Sequence, residues 1–498
     1  MEELRNPTIL ASLALYMAAC IGVGLWALRQ THSTRDFFMA GRDLGVLVAG
    51  MAVFSSTLSG FGFVGGPGLV YSMGMSSVWI VIASAIGFSI SFFVLGKRLR
   101  LFAAARDTIS LPDAVAARYR SEASRFLTAL AILLGVVGYL ATQILAMAIV
   151  LQSILERTDG FAGTGLVACM TVSCAVLVFY CVTGGIIASV YTDLVQGSVM
   201  VVASLLVFVT ALFAVEGGAA GMVEVIRADD PEAIGPWGTL GMLGCLSWYF
   251  MFAVGGSGQP HIVTKLMMNK KIDDARRILP VSLLAYTVSA LLWISIGLAM
   301  RALVLMGAHP ELATADAAAP DFLQSYAHPI LAGVVFAGLF AAIMSTADSF
   351  LNIGAAAVVH DIPRALTGRS LQRELFWARI ATIGIALVAT AFALYSHYQN
   401  ERLIALLGAF GWGTFAAALV PTVAIGFNWK RASALAANVA ITVSLLVNFG
   451  VELFDIAIPY GIHGGTVSLV LSIVLFFGIS LISPESRLDP DIEAVMDV

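Results

Sequence analysis

Ser55-Ser56-Thr57-Leu58-Ser59-Gly60, followed by Gly62, Gly65, Gly66, Pro67 and Gly68, interrupts an apolar run over residues 44–72. A second apolar run, 239–262, is interrupted by Gly255-Gly256-Ser257-Gly258-Gln259-Pro260. Lipid tolerates unwound backbone only where protein or a water-filled cavity satisfies the freed N–H and C=O groups. Gly/Pro interruptions at corresponding places in two halves of a chain point to a binding site where discontinuous helices meet near the bilayer midplane. The pattern therefore predicts an all-helical membrane protein in which a solute and a coupling ion meet at mid-membrane.

The rest of the sequence supports the membrane assignment. Of the 498 residues, 59% are hydrophobic and only 12% are charged, where a soluble domain carries about a quarter charged residues. Mean hydropathy is +0.92. A net charge of -4 gives no sign of a nucleic-acid partner. Cys20, Cys169, Cys174, Cys181 and Cys245 all fall in apolar runs, which suits small buried hydrophobes better than disulfides or a metal site. Glu2 and Glu3 precede the first apolar run, so residues 8–28 read as a retained helix and not as a cleaved leader.

Runs of about 20 apolar residues, the length that crosses a bilayer, occur near 8–28, 44–72, 76–96, 124–154, 163–185, 188–216, 239–262, 279–307, 327–358, 378–397, 402–427, 432–452 and 459–482. These thirteen spans put the termini on opposite sides. With the N-terminus outside, five of the 27 basic residues (Arg5, Arg157, Arg227, Arg301 and Arg402) lie outside and the other 22 inside, as the positive-inside rule requires. Spans 2–6 (44–216) and 7–11 (239–427) form two sets of five, each opening with a broken span. An odd repeat length inverts the second copy in the membrane. The first span and the last two (432–482) are then peripheral. One transmembrane domain accounts for the chain.

Acidic residues at membrane depth are Asp193 and Asp348. An unpaired carboxylate there costs roughly 2.5–3.5 kcal/mol on insertion scales. Asp193 falls about 9 Å into its span at 1.5 Å per residue, and Asp348 falls at similar depth in the inner half. Each also reads as a structural pair or a helix-end contact. Ser345, Asp348 and Ser349 share one helical face, and their oxygens suit a hard cation such as Na⁺. The competing reading of the hydroxyls is back-bonding to i−4 carbonyls. Unwinding near Ser55–Ser59 would supply further carbonyl ligands. No Walker A sequence is present, which disfavours ATP-driven transport. No His/Cys/carboxylate cluster has metal-site spacing, and no nucleophile–base pairing points to an enzyme.

Several of these stretches resemble the sodium:solute symporters, and within them the bacterial sodium/proline branch. They are Gly41-Arg42-Asp43-Leu44-Gly45, Ser59-Gly60 with Gly66-Pro67-Gly68, Thr183-Gly184-Gly185 with Tyr191-Thr192-Asp193 and Gln196, Gly258-Gln259-Pro260-His261, and Ala341 to Ser349 (AAIMSTADS). The resemblance spans nearly the whole chain in the same order. It implies a LeuT-like five-plus-five fold and uptake coupled to Na⁺, with no organic cofactor. It implies a sodium site from the carbonyls of Ser55, Leu58 and Ala342 and the hydroxyls of Ser345 and Thr346. A second sodium site, found in some members, would use Asp193, Ser345, Asp348 and Ser349. The solute cavity would be lined by Phe61, Tyr139, Gln143, Phe252, Gly256 and Trp412. Two positions depart from the proline branch, which typically carries Asp where Thr57 stands and Trp where Phe61 stands.

The expectation is therefore a multi-pass Na⁺ symporter of the cytoplasmic membrane, with its C-terminus inside. It would import a small carboxylate-bearing solute, an amino acid such as proline, or alternatively a monocarboxylate. Membrane lipid is its surrounding; no obligate protein partner is inferred. A channel or a transport-inactive sensor is the alternative from another class. Free N–H groups at the half-helix starts are expected to hold the solute carboxylate.

Overall fold

The computed structural model describes residues 5–29, 38, 44–158, 160–161, 163–369, 371–400, 404–484 and 488–498. Gly41-Arg42-Asp43, Arg35, Arg402 and Arg487 lie outside the described residues, as do the side chains of Cys20, Thr183 and Tyr191. Regular structure among the described residues is helical; the only strand-type pairing is an isolated parallel bridge between Leu44 and Asn269.

Among the described residues, ten helical segments are long and apolar enough to cross a bilayer. Three shorter apolar helices, Asn6–Ala19, Val46–Ser55 and Leu166–Phe179, accompany them. Every expected span falls on one or more of these helices; the number thirteen remains a count from the sequence. Large apolar side chains such as Phe93, Phe213, Leu446 and Ile482 stand exposed. A soluble surface rarely carries so many, whereas a lipid-facing surface requires them.

Both expected breaks are present. In the first, helix Val46–Ser55 ends, residues 56–59 are irregular, and the chain resumes at Gly60 through a π turn Phe61–Gly65 into helix Gly66–Met73. Ser56 Oγ and Thr57 Oγ1 bond the i−4 carbonyls of Ala52 (2.8 Å) and Val53 (2.7 Å), a habit that weakens and bends helices. In the second, helix Gly241–Gly255 tightens into a 3₁₀ turn Gly256–Gly258. Gln259 is extended (φ −78°, ψ 108°) ahead of Pro260, which opens helix Pro260–Leu266. The residue before proline is driven out of the helical region.

Two junctions need description and one expectation needs correction. The first broken span and the next are joined by a short turn. Gly74, at φ 61°, turns the chain within a 3₁₀ turn Gly74–Ser77 before helix Val78–Ser91. A Cβ at Gly74 would lie 2.0 Å from the Ala233 carbonyl oxygen. Runs 163–185 and 188–216 share one helical assignment, Leu166–Ala214; their junction contains no proline and no charge to end a helix. Lys265, counted with the inside basic residues, instead lies in helix Pro260–Leu266 and is 3% exposed. Hydropathy placed the end of that span too early because a lysine whose charge is paired looks like a loop residue.

Loop contacts agree with the two-sided arrangement. Arg157 pairs with Asp321 (2.8 Å) and Arg301 with Asp230 (3.0 Å), all on the side expected outside. Arg106 pairs with Asp489 and Asp491 (both 2.6 Å), and Arg125 with Asp113, all on the side expected inside. Between the two sides, helices pack through small residues, the usual device where lipid is as apolar as the side chains. A Cβ on Gly256 would lie 2.7 Å from the Gly87 Cα, and one on Gly413 would lie 2.9 Å from the Gly465 Cα.

Candidate cation and solute site

The first break is closed by helix Pro329–Ala356. Ser345 Oγ lies 3.1 Å from the Ser55 carbonyl and 3.0 Å from that of Ala342. Thr346 Oγ1 lies 3.4, 3.2 and 3.1 Å from the carbonyls of Ser55, Ser56 and Ala342. Ser55 Oγ adds contacts to Ser345 Oγ (2.8 Å) and Asp193 Oδ1 (3.3 Å). These residues are at most 2% exposed. The helix interruption frees carbonyls, and the hydroxyls of Ser345 and Thr346 answer those of Ser55 and Ser56. The same oxygens converge at distances from which small rotations would enclose a hard cation. Leu58 lies in the unwound stretch, 1% exposed.

Beside this cluster stands a group that sequence reasoning missed. Lys265 Nζ donates to the Ala52 carbonyl (2.8 Å), to Ser56 Oγ and to Asp193 Oδ2 (3.1 Å). Asp193 is wholly buried, so each charge is the other's compensation; removing one partner of such a pair is costly. Ser349 Oγ lies 3.3 Å from Ser56 Oγ and bonds the Ser345 carbonyl at 3.0 Å. Asp348 does not join them. Its Oδ1 accepts from Asn352 Nδ2 (3.1 Å), its Oδ2 has no well-formed hydrogen bond, and Cys181 and Ser189 lie beside it. The structure thus gathers Asp193, Ser345 and Ser349 around the first break and turns Asp348 elsewhere. A charged residue one turn after His261 in the short helix that follows the second break was the available signal for Lys265.

Between the breaks lies an aromatic wall. Phe61 stacks on Phe252 with ring centroids 5.9 Å apart, and Phe252 stacks on Trp412 at 5.0 Å. Trp293 meets Phe61 edge-on at 5.7 Å. Tyr139 packs against Phe350 (4.7 Å) and His261 (6.2 Å). Gln143 holds the backbone of the first break. Its Oε1 accepts the Gly60 N–H at 2.9 Å and its Nε2 reaches Ser59 Oγ at 3.3 Å, while the Phe61 N–H donates to Ser59 Oγ at 3.1 Å. The N–H groups expected to be free at the first break are therefore capped from within. Gly256 lets the second break approach Gly87 closely.

The second break leaves buried polar atoms without partners: Gln259 Oε1, both ring nitrogens of His261, and Trp412 Nε1. Gln259 is otherwise held, its Nε2 donating to the carbonyls of Gly255 (3.0 Å) and Trp412 (3.2 Å). Unsatisfied buried polar groups in one place call for water or a ligand. His261, Thr264, Lys265, Ser349 and Asn352 also line a cavity that reaches Ser110.

Ser110 begins a network on the side expected inside. Its Oγ bonds Asp361 Oδ1 (2.6 Å), and Asp113 meets Arg125, His360 Nε2 (3.0 Å) and Arg364 Nη1 (3.4 Å). Burial would raise the Asp113 carboxyl, but His360 and Arg125 outweigh it and hold it below the usual carboxylate range. Ligand atoms of Asp113, His360 and Asp361 lie within 4.8 Å of one another, a cluster that sequence spacing hid. The Arg125 guanidinium in contact with Asp113 makes the place inhospitable to a metal ion.

Two discontinuous helices facing one another, one lined by carbonyls and hydroxyls and the other by aromatic rings, define a secondary transporter of the broken-helix class. Solved structures show the same fold. A Na⁺-coupled sialic acid symporter superposes with a TM-score of 0.78 at 20% identity, covering 97% of this chain and 99% of that one. MHP1, a nucleobase-cation-symport-1 family transporter, gives 0.56 at 17% identity, covering 93% and 98%. The sequence pattern of the sodium:solute symporter family matches residues 37–443, and the chain belongs to that family. Among curated relatives, the sodium/proline symporter of Escherichia coli is 30% identical over 486 residues, covering 94% of this chain and 93% of its own length. The osmoregulated proline transporter OpuE of Bacillus subtilis is 28% identical over 495 residues, covering 95% of each.

Proposed function

We propose that the protein is a Na⁺-coupled symporter of the cytoplasmic membrane that imports a small zwitterionic amino acid, with proline the first candidate. The observation that carries the reading is the oxygen cluster of Ser55, Ala342, Ser345 and Thr346 at the first break. These side chains and carbonyls are the ones the family resemblance assigns to sodium, and the Leu58 carbonyl would complete the shell. Sodium is a cargo of the cycle, and its inward gradient drives the solute. One charge moving down 100 mV yields about 2.3 kcal/mol, enough for more than tenfold accumulation.

The solute would lie against Phe61, Phe252 and Trp412, beside Tyr139. Aromatic faces suit its apolar ring and its ammonium group. With the Gly60 and Phe61 N–H groups capped, the carboxylate would be met by donors at the second break, His261 and Trp412, whose nitrogens lack partners. Names of the curated relatives favour proline over other amino acids. The cavity toward Ser110 gives an exit on the cytoplasmic side. Basic residues concentrate on that side, which supports a topology with the N-terminus outside and the C-terminus within.

Uptake of labelled proline into proteoliposomes tests the reading. An inward Na⁺ gradient should drive accumulation, an equal K⁺ gradient should not, and excess unlabelled proline should abolish the signal where its methyl ester does not. Uptake indifferent to Na⁺ would overturn the coupling. Na⁺-driven uptake of another solute that proline leaves untouched would overturn the substrate.

A further inference from the structure

Lys265 presents three N–H bonds and has three acceptors: the Ala52 carbonyl at 2.8 Å, Ser56 Oγ, and Asp193 Oδ2 at 3.1 Å. An ammonium has three donors and no acceptor, so the charged form is fully satisfied here, 3% exposed. Its surroundings are those of the expected second sodium. Asp193 is its carboxylate ligand, and Ser349 Oγ lies 3.3 Å from the same Ser56 hydroxyl. The other oxygen of Asp193 contacts Ser55 Oγ at 3.3 Å, and Ser55 in turn supplies the carbonyl facing Ser345 and Thr346. A single buried carboxylate thus stands between the lysine ammonium and the oxygen cluster. Asp348, the other acid of the expected second site, is turned toward Asn352.

We propose that the Lys265 ammonium is a built-in cation at the second cation position, so that each chain binds one Na⁺ and couples one Na⁺ to each solute. The inference rests on the symport reading above and deepens it by setting its stoichiometry. Like charges a few ångströms apart in a site of low dielectric repel strongly. A second Na⁺ on Asp193 would have to displace the ammonium, which is tethered to the same helix as His261 and cannot diffuse away. One carboxylate balanced by one lysine leaves a single opening, among Ser55, Ala342, Ser345 and Thr346.

Equilibrium binding of radiolabelled Na⁺ to the purified full chain tests this without requiring the solute's identity. Wild type should saturate at one Na⁺ per chain with a Hill coefficient of one. Lys265→Met, which keeps length and removes charge, should open the second position and raise the count to two. Lys265→Arg should hold it at one. Asp193→Asn combined with Lys265→Met removes both charges, protects against loss of fold in the single variant, and should also bind one. Two Na⁺ per wild-type chain overturns the proposal, as does a well-folded Lys265→Met variant that still binds one with unchanged affinity. Absence of any saturable Na⁺ binding in wild type fails differently, because it removes the symport reading itself and this inference with it.

Discussion

The two broken helices start from similar sequence and reach opposite electrostatic ends. Both interrupt an apolar run with glycine and serine, and both sit against a neighbouring helix. At the first break the freed carbonyls of Ser55 and Ser56 meet the hydroxyls of Ser345 and Thr346, which also bond the Ala342 carbonyl of their own helix. The N–H groups of Gly60 and Phe61 are capped by Gln143 and Ser59. At the second break, Gln259 Oε1, the His261 nitrogens and Trp412 Nε1 have no partner. The lesson is that a break rich in short hydroxyl side chains can close upon itself around a small ion. A break built from glycines and large rings leaves room, and leaves polar atoms waiting for a larger guest.

The largest effect should come from disturbing the charge that sits beside the first break. Asp193→Asn leaves Lys265 buried and unpaired, a loss of about 3–5 kcal/mol, which is a large part of a typical total of about 5–15 kcal/mol. Folded yield by size-exclusion profile should fall sharply, and adding Lys265→Met should recover it. Normal yield for the single variant would mean that the pair does not carry the local stability.

That ion pair also marks the limit of what the sequence made legible. Both breaks could be read directly, because glycine, proline and clustered serines in an apolar run have few other meanings. Ser345 and Thr346 were legible from the same kind of cluster, and the structure brings them to Ser55 as the family resemblance implied. Lys265 was not, since a lysine near a span end reads as a loop residue until its partner 72 positions away is known. The Asp113–His360–Asp361 cluster was hidden for the same reason: it joins residues 247 positions apart. Gln143 was read as a cavity residue, and only the geometry shows it capping Gly60. Asp348 looked like a partner of Ser345 on the helix face, yet its carboxylate follows Asn352, its neighbour one turn on.

Next in size are the hydroxyls of the first break. Ser345→Ala and Thr346→Ala each delete one oxygen facing the unwound carbonyls. A hydrogen-bond-strength interaction with a charged group contributes about 1.5–3 kcal/mol, so each change should weaken apparent Na⁺ affinity by about 10- to 100-fold. Uptake at low Na⁺ should nearly vanish while folded yield persists. Unaltered Na⁺ dependence in both would place the ion elsewhere.

A change at the second break should separate cleanly from these. His261→Phe keeps a ring against Phe350 and Tyr139 but removes both unpartnered nitrogens. One hydrogen bond of about 1 kcal/mol corresponds to a severalfold rise in solute KM, with half-saturation by Na⁺ unmoved. A shift in Na⁺ dependence with solute KM intact would reverse the roles assigned to the two breaks.

The smallest effect belongs outside both. Arg106 pairs with Asp489 and Asp491 at 2.6 Å, and all three side chains are about a third or more exposed to water. Such pairs contribute about 0–1 kcal/mol. Arg106→Ala should leave uptake unchanged and move thermal stability little; a marked loss of transport would show that the C-terminal segment takes part in the cycle.

The most direct test of the division between the breaks is the Na⁺ dependence of thermal stability, measured on purified wild type and on the Ser345→Ala/Thr346→Ala double variant with no solute present. A ligand at a hundred times its dissociation constant stabilises by about 2.7 kcal/mol. Wild type should therefore melt several degrees higher in Na⁺ than in K⁺ at equal ionic strength, and the double variant should melt at the same temperature in both. An equal Na⁺ shift in the two proteins would contradict the assignment of the first break to sodium.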